Sequence, residues 1–412
     1  MTNKPTTTIR IDSNTKKQAN TVFDEIGISM STAINIFLKA VIREGCMPFD
    51  ITLKNKFLPK NTTLNHAFIV KKDDFYTQYK DIANEMMLHK ELFKNKVVLC
   101  NCDDPFESAF FRFFILNFEQ FGISKLICTC YSNSSLSGQE YPLENYTGAY
   151  KAVVTEVPDD SLVRPDDSLD LEVLFSMSGN SLVTLDGDGD FRSEECINLL
   201  TEADIVATNP PFSLFREFIS LLINYDKKFV VLGNMNAVTC KEIFPLFRDN
   251  KVWYGNSIRS GDRKFFVPND YPLNASGCGI DENGRRFIRV KGVRWFTNLN
   301  ANNKRAWLNL TSCYSPKEYP TYENYNAIEV GQTKNIPTDY KGLMGVPITF
   351  LDKYNPEQFE ILMLANGNAR TNVPTEILEE VGYRQHPDDR GGVGIIKGNR
   401  VYARIIIRRK GL

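Results

Sequence analysis

The chain has 412 residues, 42% hydrophobic and 24% charged, with a formal net charge of −1. Such a composition describes a globular chain of about two or three domains, and no apolar run approaches the roughly 18 residues of a membrane span. Only three histidines occur, His66, His89 and His386, and none has metal-ligand or triad spacing, which argues against a zinc or serine hydrolase.

The first 72 residues carry 11 Lys/Arg against 5 Asp/Glu. Thr7, Ile9 and Ile11 alternate with Thr6, Thr8 and Arg10, the period of a half-buried strand. Asp12 or Ser13 can cap a helix with Ala19, Val22, Phe23 and Ile26 on one face, closed by Gly27. Ser29 or Ser31 can cap a second helix with Ala33, Ile34, Phe37, Leu38, Val41 and Ile42, closed by Gly45. A strand and two helices of this size cannot bury enough surface alone. Their order suggests a ribbon-helix-helix homodimer, whose paired strands enter the major groove. Ile9-Arg10-Ile11-Asp12, the run from Gly27 to Phe37 and Pro48-Phe49-Asp50 resemble RelB/DinJ-type antitoxins over residues 5–52. The resemblance implies groove-facing Thr6, Thr8 and Arg10, or a toxin encoded nearby as partner. A dimerisation module without a DNA role is the other reading, since a fold does not fix a function.

Residues 51–72 are polar and weakly periodic and read as a linker. At Phe75 the character changes, and a helix with Ile82, Met86, Leu88 and Phe93 follows. The run Lys96 to Leu99 reads as the first sheet strand, followed by a turn at Asp104-Pro105-Phe106 with Ser108 as the one small residue nearby. Lys125 to Tyr131 reads as the second strand. A carboxylate usually ends that strand and binds ribose hydroxyls, but Tyr131 stands there. Cys100, Cys102, Cys128 and Cys130 are spaced to pack on strand faces rather than to bind a metal. Nine cysteines without secreted-scaffold spacing, and no signal peptide, point to a reducing cytoplasm. Asp186 to Asp190 opens like a calcium loop, but Phe191 and Ile197 occupy the glycine and glutamate positions, so calcium is rejected and no metal is expected.

Ile205, Val206 and Ala207 form a compact apolar run, as a parallel strand covered on both faces should. Pro210 and Pro211 must end it, because proline cannot donate to a ladder. Ser213 can then cap a helix with Leu214, Phe215, Phe218, Leu221 and Leu222 at helical spacing. Asn209-Pro210-Pro211-Phe212 therefore sits at the carboxyl end of a strand in an α/β sheet, where such sheets bind ligands. Its chemistry suits an exocyclic amine. The Asn209 side-chain oxygen and the Pro210 carbonyl can accept both N–H bonds and aim the nitrogen lone pair, while Phe212 offers a stacking face to an extruded base.

That tetrapeptide resembles motif IV of the S-adenosylmethionine-dependent amino-methyltransferases, in the form typical of N6-adenine DNA enzymes. Asp186 to Ser193, Lys227 to Asn234 and Gly345 to Leu351 resemble the EcoRI-type adenine methylases, over a range from about Phe75 to the C-terminus. The resemblance implies a doubly wound, Rossmann-like fold and S-adenosyl-L-methionine as cofactor. It implies cofactor contacts from Tyr76 and Thr77, from Asp104, Pro105, Phe106 and Ser108, and from Asp190 and Phe191. Motif I departs from the pattern, since Ser108 and Phe110 stand where two glycines are usual.

From Trp253 onward short β-like runs alternate with turns. Arg285 to Arg305 holds 7 basic residues and no acid. There, Arg285, Arg286, Arg289, Lys291 and Arg294 interleave with Phe287 and Trp295, as phosphate contact and base stacking require. Arg404, Arg408 and Arg409 form a second, weaker cluster. The expected organisation is an antitoxin-like module at 1–50, a linker at 51–72, a catalytic domain at 73–256, and the remaining sheet strands with a target-recognition region at 257–412. The expected function is methylation of a flipped adenine in double-stranded DNA, as the modification partner of a restriction endonuclease. The alternative is an antitoxin-like repressor on a degenerate methyltransferase scaffold.

Overall fold

The computed structural model describes residues 77–411 except 103, 105–107, 132–148, 159–161, 165–168, 260, 268–272, 274–276, 283 and 300–304, together with 16, 17, 19, 20, 23 and 29–34. The chain divides into two compact units, Met1–Lys60 and Asn61–Leu412. In the first, the described residues 16, 17, 19, 20, 23 and 30–34 are helical. Ser29 caps the later helix: the Thr32 amide donates to its Oγ at 3.2 Å and the Ala33 amide to its carbonyl at 2.9 Å. Thr6, Thr8 and Arg10 lie outside the described residues.

The second unit is mixed α/β. Its strands begin with β1 (Val97–Cys100), β2 (Lys125–Thr129), β3 (Tyr150–Val154), β4 (Ser181–Thr184), β5 (Ile205–Thr208), β6 (Lys228–Asn234) and β7 (Trp253–Tyr254). There follow β8 (Asp262–Phe266), β9 (Gly279–Ile280), β10 (Arg286–Lys291) and β11 (Val293–Thr297). The last long ones are β12 (Ala327–Glu329), β13 (Leu343–Pro347) and β14 (Phe359–Ala365), then a short hairpin of β15 (Ile395–Ile396) and β16 (Asn399–Arg400), and β17 (Arg404–Arg409).

The largest sheet has the order β4-β3-β2-β1-β5-β6-β11-β7. Its inner strands β2, β1, β5 and β6 are parallel, while β3 and β4 on one side and β11 and β7 on the other are added by antiparallel pairing. The order runs outward from β1 to β2, then restarts on the far side of β1 at β5, so the direction reverses between β1 and β5. Every residue of β5 is buried, as its apolar run requires. β11 lies in the C-terminal stretch yet pairs with β6 inside this sheet, from Val293↔Asn234 to Thr297↔Val230.

A helix α1 (Tyr79–Met86) continues as a 3-10 turn over Met87–Phe93. It buries Ile82, Met86 and Phe93 completely, whereas Leu88, expected in the same helix, is 47% exposed, since at 3.6 residues per turn it lies about 120° round from Ile82. Glu85 is fully buried and its carboxylate accepts from the Ser257 amide at 2.7 Å, from the Asn256 amide at 3.1 Å and from His89 Nε2 at 3.1 Å. Burial pushes the Glu85 carboxyl up, but the hydrogen bonds from His89 and Ser257 outweigh it, and the net shift is downward. Gly255 makes this possible, since a Cβ there would stand 2.2 Å from Glu85 Oε1.

A helix α2 (Ala109–Leu116) is apolar almost all round and buries five of its residues. A second sheet, β12-β13-β17-β14, contributes Met344, Val346, Ile405 and Ile407 to the same core as Phe215, Phe218 and Phe296. A third, β8-β10-β9, turns Phe265, Ile288 and Val290 into the core that holds Phe110 and Trp295. Among the described residues no helix is long and apolar enough to cross a membrane.

Candidate functional site

Two strand ends meet where the sheet order reverses. β5 ends at Thr208, and Asn209 and Pro210 follow it, both buried. Pro211 and Phe212 are half-buried. The Leu214 amide donates to the Pro211 carbonyl at 3.0 Å, closing a turn. The helix α3 (Glu194–Glu202) lies before β5, and α4 (Phe215–Asn224) starts after the turn with Leu214, not Ser213, at its N-cap. The expected serine cap is thus corrected: the two prolines impose a full turn before the helix begins. Phe212 meets Phe265 edge-on, with centroids 6.3 Å apart, so the inner face of the small sheet supports one side of the motif.

On the β1 side, Asp104 is 4% exposed and accepts a 2.5 Å hydrogen bond from the Tyr150 hydroxyl. Tyr150 begins β3 and is itself buried. The pairing spans 46 residues of sequence, and nothing in the local pattern signals it. The Ser108 amide donates to the Asp104 carbonyl at 2.7 Å, and Ser108 Oγ accepts from Phe110 N at 3.0 Å and Phe111 N at 3.5 Å. This turn is closed by a serine cap where glycines are usual, and Phe110 packs edge-on to Trp295 at 6.0 Å. Pro105 and Phe106 lie outside the described residues, as does Tyr76, while Thr77 is 8% exposed.

The turn before α3 comes against the end of β2. Gly189 has φ +77°, and a Cβ there would stand 2.1 Å from the Cys130 carbonyl oxygen. Burial, with the nearby Asp104 charge adding, pushes the Cys130 thiol up to about 12. Asp190 accepts from Arg192 Nη2 at 2.6 Å, Nε at 2.9 Å and N at 2.8 Å. That hydrogen bonding holds its carboxyl below the usual carboxylate range. Phe191 is buried edge-on against Phe218 at 5.1 Å, with the Arg192 guanidinium 5.3 Å from its centroid. Thr77, Asp104, Ser108, Asp190 and Phe191 thus all lie buried or half-buried.

The basic residues separate into two kinds. On the open face of the small sheet, Arg289 pairs across from Lys264, and Phe287 across from Phe266. Lys264 Nζ sits 4.2 Å from the Phe287 centroid, and the Arg285 guanidinium 4.0 Å from that of Phe266. Arg285, Arg289 and Lys291 are exposed and Arg286 is half-buried. Sequence reading passed over Lys264, which directly precedes Phe265 and Phe266. Arg294 is a correction. It is 4% exposed, its Nε bonds Asp352 Oδ1 at 3.1 Å, and its Nη2 donates to the Arg259 carbonyl at 2.6 Å. Inside β11 its guanidinium is taken up by Asp352 and the carbonyls of Val293 and Arg259. The C-terminal cluster is corrected likewise: Arg404 pairs with Glu329 at 2.6 Å, Arg408 with Glu360 at 2.7 Å and Glu380 at 3.0 Å, and Arg409 donates to the Thr338 carbonyl.

The family model described as adenine-specific methyltransferase EcoRI matches residues 63–410, and that of RelB antitoxin matches residues 6–73. The chain is 44% identical over 318 residues to the Type II methyltransferase M.EcoRI of Escherichia coli, covering 74% of this chain and 90% of that one. It is 38% identical over 352 residues to the Type II methyltransferase M.MpnI of Mycoplasma pneumoniae, covering 84% and 98%. It is 36% identical over 359 residues to the Type II methyltransferase M.MgeORF184P of Mycoplasma genitalium, covering 84% and 98%. No solved structure matches. The antitoxin match extends past the 5–52 expected and meets the methyltransferase match between 63 and 73. The chain belongs to the EcoRI family of adenine-specific methyltransferases, and its residues 6–73 match the RelB antitoxin model.

Proposed function

We propose that this chain is the modification enzyme of a restriction-modification pair, methylating N6 of an adenine extruded from double-stranded DNA. The observation that carries the proposal is Asn209-Pro210-Pro211-Phe212 at the carboxyl end of β5, beside the point where strand order reverses. The strand order around that point supports a Rossmann-like core over about 73–256, completed by β11. Residues 257–412 otherwise supply target recognition, and 1–50 a ribbon-helix-helix arm through which the chain forms a homodimer. A cognate endonuclease, and a toxin for the arm, are the partners this reading implies in the cytoplasm.

The amine of adenine is a weak nucleophile because its lone pair is delocalised into the ring. The Asn209 side-chain oxygen and the Pro210 carbonyl accept its two N–H bonds, which draws the nitrogen toward a tetrahedral form and aims its lone pair. Phe212 stacks on the extruded base, worth about 1–3 kcal/mol, and Pro211 fixes the turn that presents it. S-adenosyl-L-methionine, when bound, supplies an electrophilic methyl group on a sulfonium. The chain's residues fit such a group. Thr77 Oγ1 is buried without a partner among the described residues. Asp104 is a carboxylate kept in place by Tyr150. Asp190 and Phe191 offer an acceptor and a ring where Gly189 lets the backbone approach β2. Arg285, Arg286, Arg289 and Lys291 carry the phosphate contacts together with Lys264.

Asn209→Ala tests this reading. Transfer of tritium from S-adenosylmethionine to unmethylated DNA should fall by about 10²–10³-fold, the scale on which one aligned polar contact at a reacting centre acts. Binding of the cofactor should stay. Full transfer in the variant removes Asn209 from the chemistry, and label recovered in RNA or protein instead of N6-methyladenine moves the substrate class.

A further inference from the structure

One pair of side chains, at the ends of β1 and β2, takes no part in the site described so far. Asn101 directly follows β1, and Thr129 is the last residue of β2. The two strands are parallel neighbours, with Cys100↔Cys128 as the last registered pair, so Asn101 and Thr129 are the next residues on each. Asn101 is 3% exposed and Thr129 fully buried. Among the described residues, neither Asn101 Oδ1, Asn101 Nδ2 nor Thr129 Oγ1 has a hydrogen-bond partner.

Three unmet polar atoms on adjacent strand ends are costly to a fold, because each was hydrogen-bonded to water before burial. Apolar side chains would serve a purely structural role better here. The residues two positions back on each strand, and so on the same face, Leu99 and Ile127, belong to the same core cluster as Phe191. Gly189 brings the turn that carries Asp190 and Phe191 against Cys130, the residue after Thr129. Tyr131, which stands where a carboxylate usually ends this strand, is 37% exposed. The unpartnered groups at these two strand ends are neutral, an amide with two donors and an acceptor beside a hydroxyl, although the buried Asp104 carboxylate is near enough to raise the Cys130 thiol. Such a set matches vicinal hydroxyls, which both donate and accept, better than a charged group.

We infer that Asn101 and Thr129 bind the ribose hydroxyls of the cofactor, a neutral pair doing the work of the missing carboxylate. The inference rests on the S-adenosylmethionine reading above. Two consequences follow. The preference for ribose over deoxyribose comes from this pair. The pair also destabilises the empty protein, so an apolar replacement raises stability while it weakens binding.

The test is calorimetric binding of S-adenosylhomocysteine and of its 2′-deoxy and 3′-deoxy counterparts to the full chain and to Asn101→Ala and Thr129→Val. The parent protein should bind the ribose form about tenfold more tightly than either deoxy form, as one or two neutral hydrogen bonds allow. Each variant should lose that preference while keeping its affinity for a deoxy form. Unliganded Thr129→Val should melt at or above the parent temperature. Variants that bind the ribose form like the parent overturn the inference, as do variants weakened equally toward all three ligands. Variants that melt lower with binding unchanged show a buried water bridging the pair, which also overturns it. A parent protein indifferent to the ribose hydroxyls overturns it without any variant. A parent that binds none of the three ligands instead removes the cofactor reading on which the inference stands.

Discussion

The small sheet β8-β10-β9 with its flanking Arg285 carries six cations and the strand β17 three, and their fates differ. In the small sheet, Lys264 and Arg285 share the single carboxylate of Asp281, at 3.8 Å and 3.0 Å, and lie against phenylalanine rings. Arg289 is exposed, 5.9 Å from the Phe287 centroid. In β17, Arg404 and Arg408 have carboxylates of their own, Arg408 two of them. A ring supports a guanidinium without cancelling its charge, whereas a carboxylate cancels it. The first surface keeps a field that polyphosphate can meet, and the second is closed on itself. Basic residues in a sequence thus stay available to a polyanion only where in-chain acids do not match them one for one.

The comparison is sharpened most by Arg294, which sequence grouped with the first set and the structure groups with the second. Arg294→Ala should destabilise the fold by about 3 kcal/mol, because it leaves Asp352 and buried carbonyls without their donor. Denaturant unfolding reads this, and an unchanged midpoint together with a lower salt slope of DNA binding would return Arg294 to the phosphate set. Next in size, Lys264→Ala with Arg289→Ala should weaken DNA binding about tenfold at moderate salt and lower its salt slope by about 2, with unfolding little changed. A slope equal to the parent's would break the distinction drawn here. The smallest effect belongs to Arg408→Ala. Its side chain is 40% exposed, so loss of its pairs should cost less than about 1 kcal/mol and leave the salt slope alone.

What was legible in the sequence was local. The apolar run of β5, the prolines that end it and the helical spacing of Phe215 and Phe218 lie within a dozen neighbours, and each leaves a pattern. Ser29 as a helix cap was legible for the same reason, and Asp104 with Ser108 as a turn. What stayed hidden depends on distant partners. Asp104 meets Tyr150 across 46 residues, Arg294 meets Asp352 across 58, and Arg404 meets Glu329 across 75. No periodicity couples positions so far apart. Ser213 failed as a cap for a different reason: a turn residue and a capping residue look alike until the backbone says where the helix begins.

The buried Glu85 carboxylate decides where this protein can be cut. It stands on α1, close after the overlap of the two family matches, yet it organises the backbone of Asn256 and Ser257 beyond β7, more than 170 residues away. A shortened chain meant to shed the antitoxin segment must therefore keep α1 whole. Trimming into it would leave two amides without their acceptor at the far rim of the sheet, and the damage would surface in a loop that the deletion never touched.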